Sequence, residues 1–337
     1  MKNNIVAIIL SACIALFCLP LHASVDDQPL STQEVETALQ TLVRTIDSQY
    51  LSDKHRTRIS RKIQRAISEG EFENSFTFGR FKRKVEAMLI EASGDTNFEI
   101  HWRAGMTGIA EKKPEPYPGS LQRQIFDNDI GYIAVEGDML SNGWQAEWNQ
   151  AISKLSRSKA LIIDLRHAGS MSLTLSQHVL NYFIVPGNTI SEVRFAGNKH
   201  TSLVTEKTAD NPFDAELPVY IITSPFIAGP WELVAYTMKH MDRATLVGMP
   251  TMGLGYMTKT VALSPHLNIV LAHAEFRHPA TQDNWQDWGV LPHVKCESHD
   301  ALKATLTLIK NKVDSANGED KHTGRVLCET NTNVKAN

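Results

Sequence analysis

Two short runs decide what this chain can fold into. "ALIIDLR" at 160–166 and "VYIIT" at 219–223 are continuous apolar stretches of strand length. A strand that buries one face alternates apolar and polar residues. An unbroken run signals burial on both faces, as in a parallel sheet covered by helices. The neighbouring segments fit that picture. "NFEIHWR", "IGYIAVEG", "ATLVG" and "NIVLAHAEF" read as further strands. "NGWQAEWNQAISKL", "SLTLSQHVLNYFI", the segment from Pro230 and a last stretch from Asp300 to Lys312 read as helices. Strands alternating with helices define an α/β domain.

Residues 31–94 have a different texture. Ser31 and Glu34 stand at capping-box spacing. Val35, Leu39, Leu42, Val43 and Ile46 then recur at helical period. Two more helices are expected, from about Asp53 to Ile67 and from about Phe78 to Glu91, with many Lys and Arg on solvated faces. The expected organisation is a three-helix bundle over 24–95, an α/β core over 96–315 and a loose polar tail over 316–337.

The first residues, "MKNNIVAIILSACIALFCLPLHAS", read as a secretory signal peptide. Lys2 is positive, the apolar run from Ile5 to Cys18 is too short to span a bilayer, and Ala23 suits cleavage. Bulky Leu16 and Phe17 argue against lipidation at Cys18. Cleavage would move the formal net charge from -3 to -4 by removing Lys2. That balance points to neither nucleic acid nor an anionic membrane as partner, and no later apolar run is long enough for stable membrane insertion. Cys296 and Cys328 would remain, either as one disulfide in an oxidising compartment or as two buried thiols. No His/Cys cluster has metal-ligand spacing, so neither metal nor cofactor is expected.

Four landmarks in order resemble one family. They are "ALIIDLRHAG", "PVYIITSPFIAGPWELVAY", "RATLVGMPTMG" and "NWQDWGVLPHV". Each is similar to a motif of the tail-specific, or C-terminal-processing, serine peptidases: "LIIDLRGNGGG", a strand followed by "TxSAAE", "RATLVGEPTFGKG" and "GVGVEPDV". The PDZ insertion of many members is missing. The "EIHW" strand and the ending look most like the branch of interphotoreceptor retinoid-binding protein and the tricorn core. The resemblance covers about residues 31–298 and implies a crotonase-like fold with peptide or protein as partner.

It also implies where catalysis would sit, and each position departs from the pattern. Aligning "AGPWE" on "xSAAE" puts Gly229 at the nucleophile, and glycine has no atom to attack a carbonyl. Pro230 falls where a backbone N–H would donate to the oxyanion, and proline has none. The glycine cluster after "DLR" shrinks to Gly169, followed by Ser170. Leu254 takes the place of the lysine base, with Lys259 five residues on. In the tricorn-like branch the base is a histidine, matched by His101, and its acid partner falls at Gln286. A half-buried strand histidine is the plainer reading of His101. Ser224 is the alternative nucleophile, or else a turn-forming serine.

The expectation is therefore a secreted or periplasmic peptidase-family protein that has lost catalysis and binds peptide or unfolded polypeptide in the old cleft. Trp231, Tyr256, Trp285 and Trp288 lie in segments expected around that cleft, as its lining or as core. Two alternatives stand beside it: a working serine peptidase using Ser224, and a carrier of a small apolar ligand.

Overall fold

The computed structural model describes residues 24–103, 118–208, 211–316 and 328–330. The expected signal peptide lies outside them. The chain divides into two compact units.

Within the described residues, the first unit holds 24–47, 54–103 and 260–270. Its elements are β1 (Pro29–Leu30), α1 (Thr32–Gln49, whose last residues pass into the second unit), α2 (Asp53–Ser68), β2 (Phe76–Thr77), α3 (Phe78–Ser93) and β3 (Glu99–Trp102). Ser31 caps α1 as expected, its Oγ accepting from Glu34 N at 3.1 Å. The Glu34 carboxylate does not close the capping box. It accepts from Ser264 Oγ at 2.7 Å and pairs with His266 Nδ1 at 3.0 Å. Helix α3 starts at the Thr77 cap and stops at Gly94, which takes the left-handed conformation at φ 76°. Strand β3 does not open the α/β core, as the sequence boundary at 95/96 implied. It pairs antiparallel with residues 267–270 and packs with the helices, so the first unit draws on two distant parts of the chain.

The second unit contains β4 (Ser120–Phe126), β5 (Ile130–Met139), α4 (Trp144–Lys154), β6 (Ala160–Met171), α5 (Leu173–Leu180), β7 (Thr189–Phe195), β8 (His200–Val204), β9 (Val219–Thr223), α6 (Pro230–His240) and β10 (Thr245–Gly248). Strands β11 (Tyr256–Ala262) and β12 (Leu267–Arg277) belong to it in part, and β13 (Val294–Lys295), α7 (Ala301–Ala316) and β14 (Glu329–Thr330) complete it.

Seven strands form one sheet in the order β14-β13-β10-β9-β6-β5-β4. The five inner strands run parallel, and β4 and β14 add antiparallel edges. Both faces are buried, which is why the inner strands read as unbroken apolar runs. Leu161, Ile163 and Leu165 of β6 face one core with Trp148, Val179 and Trp231. Ile162 faces the other with Tyr220, Val247 and Ala304. Antiparallel pairing of residues 274–277 with β7, and of β7 with β8, adds a separate ladder.

The architecture is mixed α/β. Among the described residues, no helix is long and apolar enough to cross a membrane. The tail is not loose throughout. Cys328 is joined to Cys296, and β14 beside it pairs with β13.

Candidate functional site

The corner between β9 and α6 is built tightly. Ser224 follows the last strand residue and donates its hydroxyl to Arg166 O at 3.1 Å. The chain then turns through Phe226 and reaches Gly229 at φ 56°, ψ −121°. Side chains rarely adopt that backbone region, and it is typical of strained corners at functional sites. A Cβ built on Gly229 would meet no heavy atom within 4 Å. The corner therefore has a nucleophile elbow's sharp strand-to-helix turn and the open space a side chain would fill. It lacks the side chain. Pro230 follows as the first helical residue, where its missing N–H costs the helix nothing, and Leu233 N closes the first turn on Gly229 O at 3.1 Å.

One buried carboxylate holds this corner. Glu232 is inaccessible to solvent, within an otherwise apolar stretch of α6. Its oxygens accept from Gly229 N at 2.9 Å, Gly253 N at 2.7 Å, Leu254 N at 2.8 Å and the Thr251 hydroxyl. Burial pushes its pKa up, and those four donors work against the shift. Glu232 thus ties the elbow to the segment 251–254. Gln286 grips the next residues, its Oε1 accepting from Gly255 N at 2.9 Å and Tyr256 N at 3.0 Å. At this position the side chain is a clamp for backbone. Leu254 is partly exposed, and its backbone N–H is taken by Glu232.

The cluster after "DLR" differs from the sequence reading. Strand β6 does not stop at Arg166. It continues to Met171, paired with β5 through His167, Ala168 and Met171. Gly169 is needed there, because a Cβ would lie 2.4 Å from Asp138 Oδ1 and 2.8 Å from Gly137 C. Ser170 N donates to Asp138 Oδ1 at 2.7 Å, so that N–H is already used. Arg166 turns to Asp164, with Nη2 on Oδ2 at 2.6 Å, and Tyr132 OH donates to the same oxygen at 2.8 Å.

The remaining residues fall into place one by one. Ser224 is 1% exposed and its hydroxyl is engaged, so it is not presented as a nucleophile. Trp231 and Trp285 are core residues, Trp231 packed against Trp148 and Trp285 against Tyr236 and Phe276, and offer no face to a ligand. Tyr256 is half-buried, whereas Trp288 is 82% exposed. His101 belongs to the first unit and sits opposite Asn268 in the strand pair. Its Nε2 lies 3.2 Å from Glu99 Oε2, and Glu99 also faces Lys82 at 3.8 Å.

Two features escaped the sequence. The clamp of Glu232 was signalled by a lone carboxylate between Trp231 and Leu233 in an apolar helix. The other is a histidine cluster at the far end of α6. The rings of His240 and His278 lie 5.6 Å apart, with Tyr236 4.2 Å from His240. Burial, then Lys239, His278 and His293, pulls His240 down to about 4, with Asp242 opposing. Burial also lowers His278 and His293.

Comparison with known proteins agrees with the mixed α/β architecture. Residues 129–296 match the model of peptidase family S41. Solved structures share the fold at low identity. A putative peptidase from Parabacteroides merdae aligns at TM-score 0.63 and 14% identity, over 85% of this chain and 99% of that one. The photosystem II D1 C-terminal processing protease aligns at 0.60 and 12%, over 80% and 94%. A lipoprotein from Streptococcus agalactiae aligns at 0.57 and 14%, over 82% and 96%. The α/β core of this chain belongs to peptidase family S41.

Proposed function

We propose that this protein is a catalytically silent S41 peptidase-family protein that binds extended peptide or unfolded polypeptide at the emptied elbow. The observation that carries this is Gly229: the strained backbone and the open space are kept, and the attacking atom is missing. Pro230 removes an oxyanion donor in the same corner. Ser224 does not replace the nucleophile, because it is buried and bonded to Arg166 O. Trp231 and Trp285 are packed in the core rather than around an enclosed apolar cavity, which disfavours an apolar-ligand carrier. A crotonase-type core, an N-terminal helical bundle and action outside the cytoplasm after loss of residues 1–23 are part of the same reading.

The test is fluorescence anisotropy of a reduced, carboxymethylated polypeptide titrated with residues 24–337, followed by gel analysis of the same samples. Saturable binding with the polypeptide left intact is expected. Cleavage, or no binding, would overturn the proposal.

A further inference from the structure

A cavity of about 480 Å³ opens between the end of β6 and the turn that leads to Gly229. Glu136, Arg166, His167, Ala168 and Phe226 line it. Its charge balance is one-sided. Arg166 contributes no free cation, since Nε and Nη2 are on Asp164 and Nη1 is on Ser298 O. Glu136 is different. Its Oε2 accepts from Ser120 Oγ at 3.2 Å, and Oε1 has no protein partner among the described residues. His167 stands opposite Glu136 across the β5–β6 pair, and no ion pair joins the two. Phe226 is 76% exposed, three residues before Gly229. A half-buried carboxylate with an unused oxygen calls for a positive charge or a donor. An exposed aromatic face beside it suits an alkyl stem or a cation.

We propose that this cavity takes a lysine or arginine side chain of the bound polypeptide, with the cationic group on Glu136 and the stem against Phe226. The inference rests on the peptide-binding reading above and adds the class of residue that the site selects. The backbone of the polypeptide would be held at the corner, and Glu136 would set the specificity.

The test uses short peptides tiled from the carboxymethylated polypeptide. Each is made with its native lysines and arginines and again with norleucine at those positions, which keeps a stem and removes the charge. Binding is measured by anisotropy for wild type, Glu136→Gln and Phe226→Ala. In wild type, norleucine should weaken the best binders about tenfold, the usual worth of a charge-assisted hydrogen bond. In Glu136→Gln that difference should vanish, while the norleucine peptides bind as they do to wild type. Phe226→Ala should weaken both sets. Equal binding of both sets to wild type, or a tenfold difference that survives in Glu136→Gln, would overturn this inference and leave peptide binding intact. Failure of every peptide to bind would overturn both.

Discussion

The two ends of α6 are built on different principles. At the N-terminal end, a carboxylate buried at Glu232 satisfies three backbone donors and a hydroxyl, and holds a strained glycine in place. At the C-terminal end, basic groups are packed together: Lys239, His240, His278 and His293. There Lys239 donates to Leu291 O at 2.8 Å and His293 Nδ1 accepts from Leu246 N at 2.9 Å. The first end has the sharp turn of a nucleophile elbow with Gly229 at its apex. The second packs basic groups against one another, at the cost of a lowered affinity for protons. Gly229 carries no side chain, and the corner around it is shaped by hydrogen bonds from Gly229 N, Gly253 N, Leu254 N and Thr251 Oγ1 to Glu232.

The sharpest way to break that contrast is Glu232→Gln. An amide has one acceptor oxygen, and its NH₂ would face backbone donors. Leaving buried donors unmet should cost about 3 kcal/mol of stability. Urea unfolding checks this, and a loss under about 1 kcal/mol would mean that the carboxylate is not the clamp.

The C-terminal end should respond to acid. A histidine depressed from 6.5 to about 4 takes up its proton in the unfolded chain first. The stability it contributes is present above about pH 6.5 and is lost as pH falls toward 4. Glu232, raised by burial, acts in the opposite sense, because its contribution is lost as pH rises through its folded pKa. The comparison is therefore made between wild type and His240→Gln. The variant should show a shallower fall in unfolding free energy between pH 6.5 and 4, and identical slopes would sink the assignment.

Smaller effects refine the N-terminal end. Gly229→Ser should fold, since space is open, with about 1–2 kcal/mol lost to the positive φ. A larger loss would show that the corner no longer admits a side chain. Ser224→Ala should cost about 1 kcal/mol, the worth of its bond to Arg166 O. Thermal unfolding resolves both.

Much of the framework was legible because it rests on periodic burial. Leu161 to Leu165, apart from Asp164, and Val219 to Ile222 are apolar because helices cover both faces of the sheet. Ser31 marked a helix start through local backbone chemistry. Other features depend on partners distant in sequence. Polar β4, "SLQRQIF", is an edge strand defined by pairing with β5 rather than by its own pattern. The extension of β6 through "HAGSM" is likewise set by β5 and by the close approach of Gly169 to Asp138. At the site, missing atoms could be read from residue identity, as at Gly229 and Pro230. Roles defined by geometry could not. Gln286 aligned with an acid and holds two backbone N–H groups instead. Trp231 and Trp288 looked alike in sequence, yet one is 0% exposed and the other 82%.

The central claim is that the corner has lost its nucleophile. The most direct measurement is fluorophosphonate labelling of purified residues 24–337, alongside Ser224→Ala and the double variant Gly229→Ser, Pro230→Ala. Wild type and Ser224→Ala are expected to stay unlabelled. Labelling of the double variant would add that the elbow still presents a serine in working geometry. Labelling of wild type that disappears in Ser224→Ala would contradict the claim and make this protein a serine hydrolase with a displaced nucleophile.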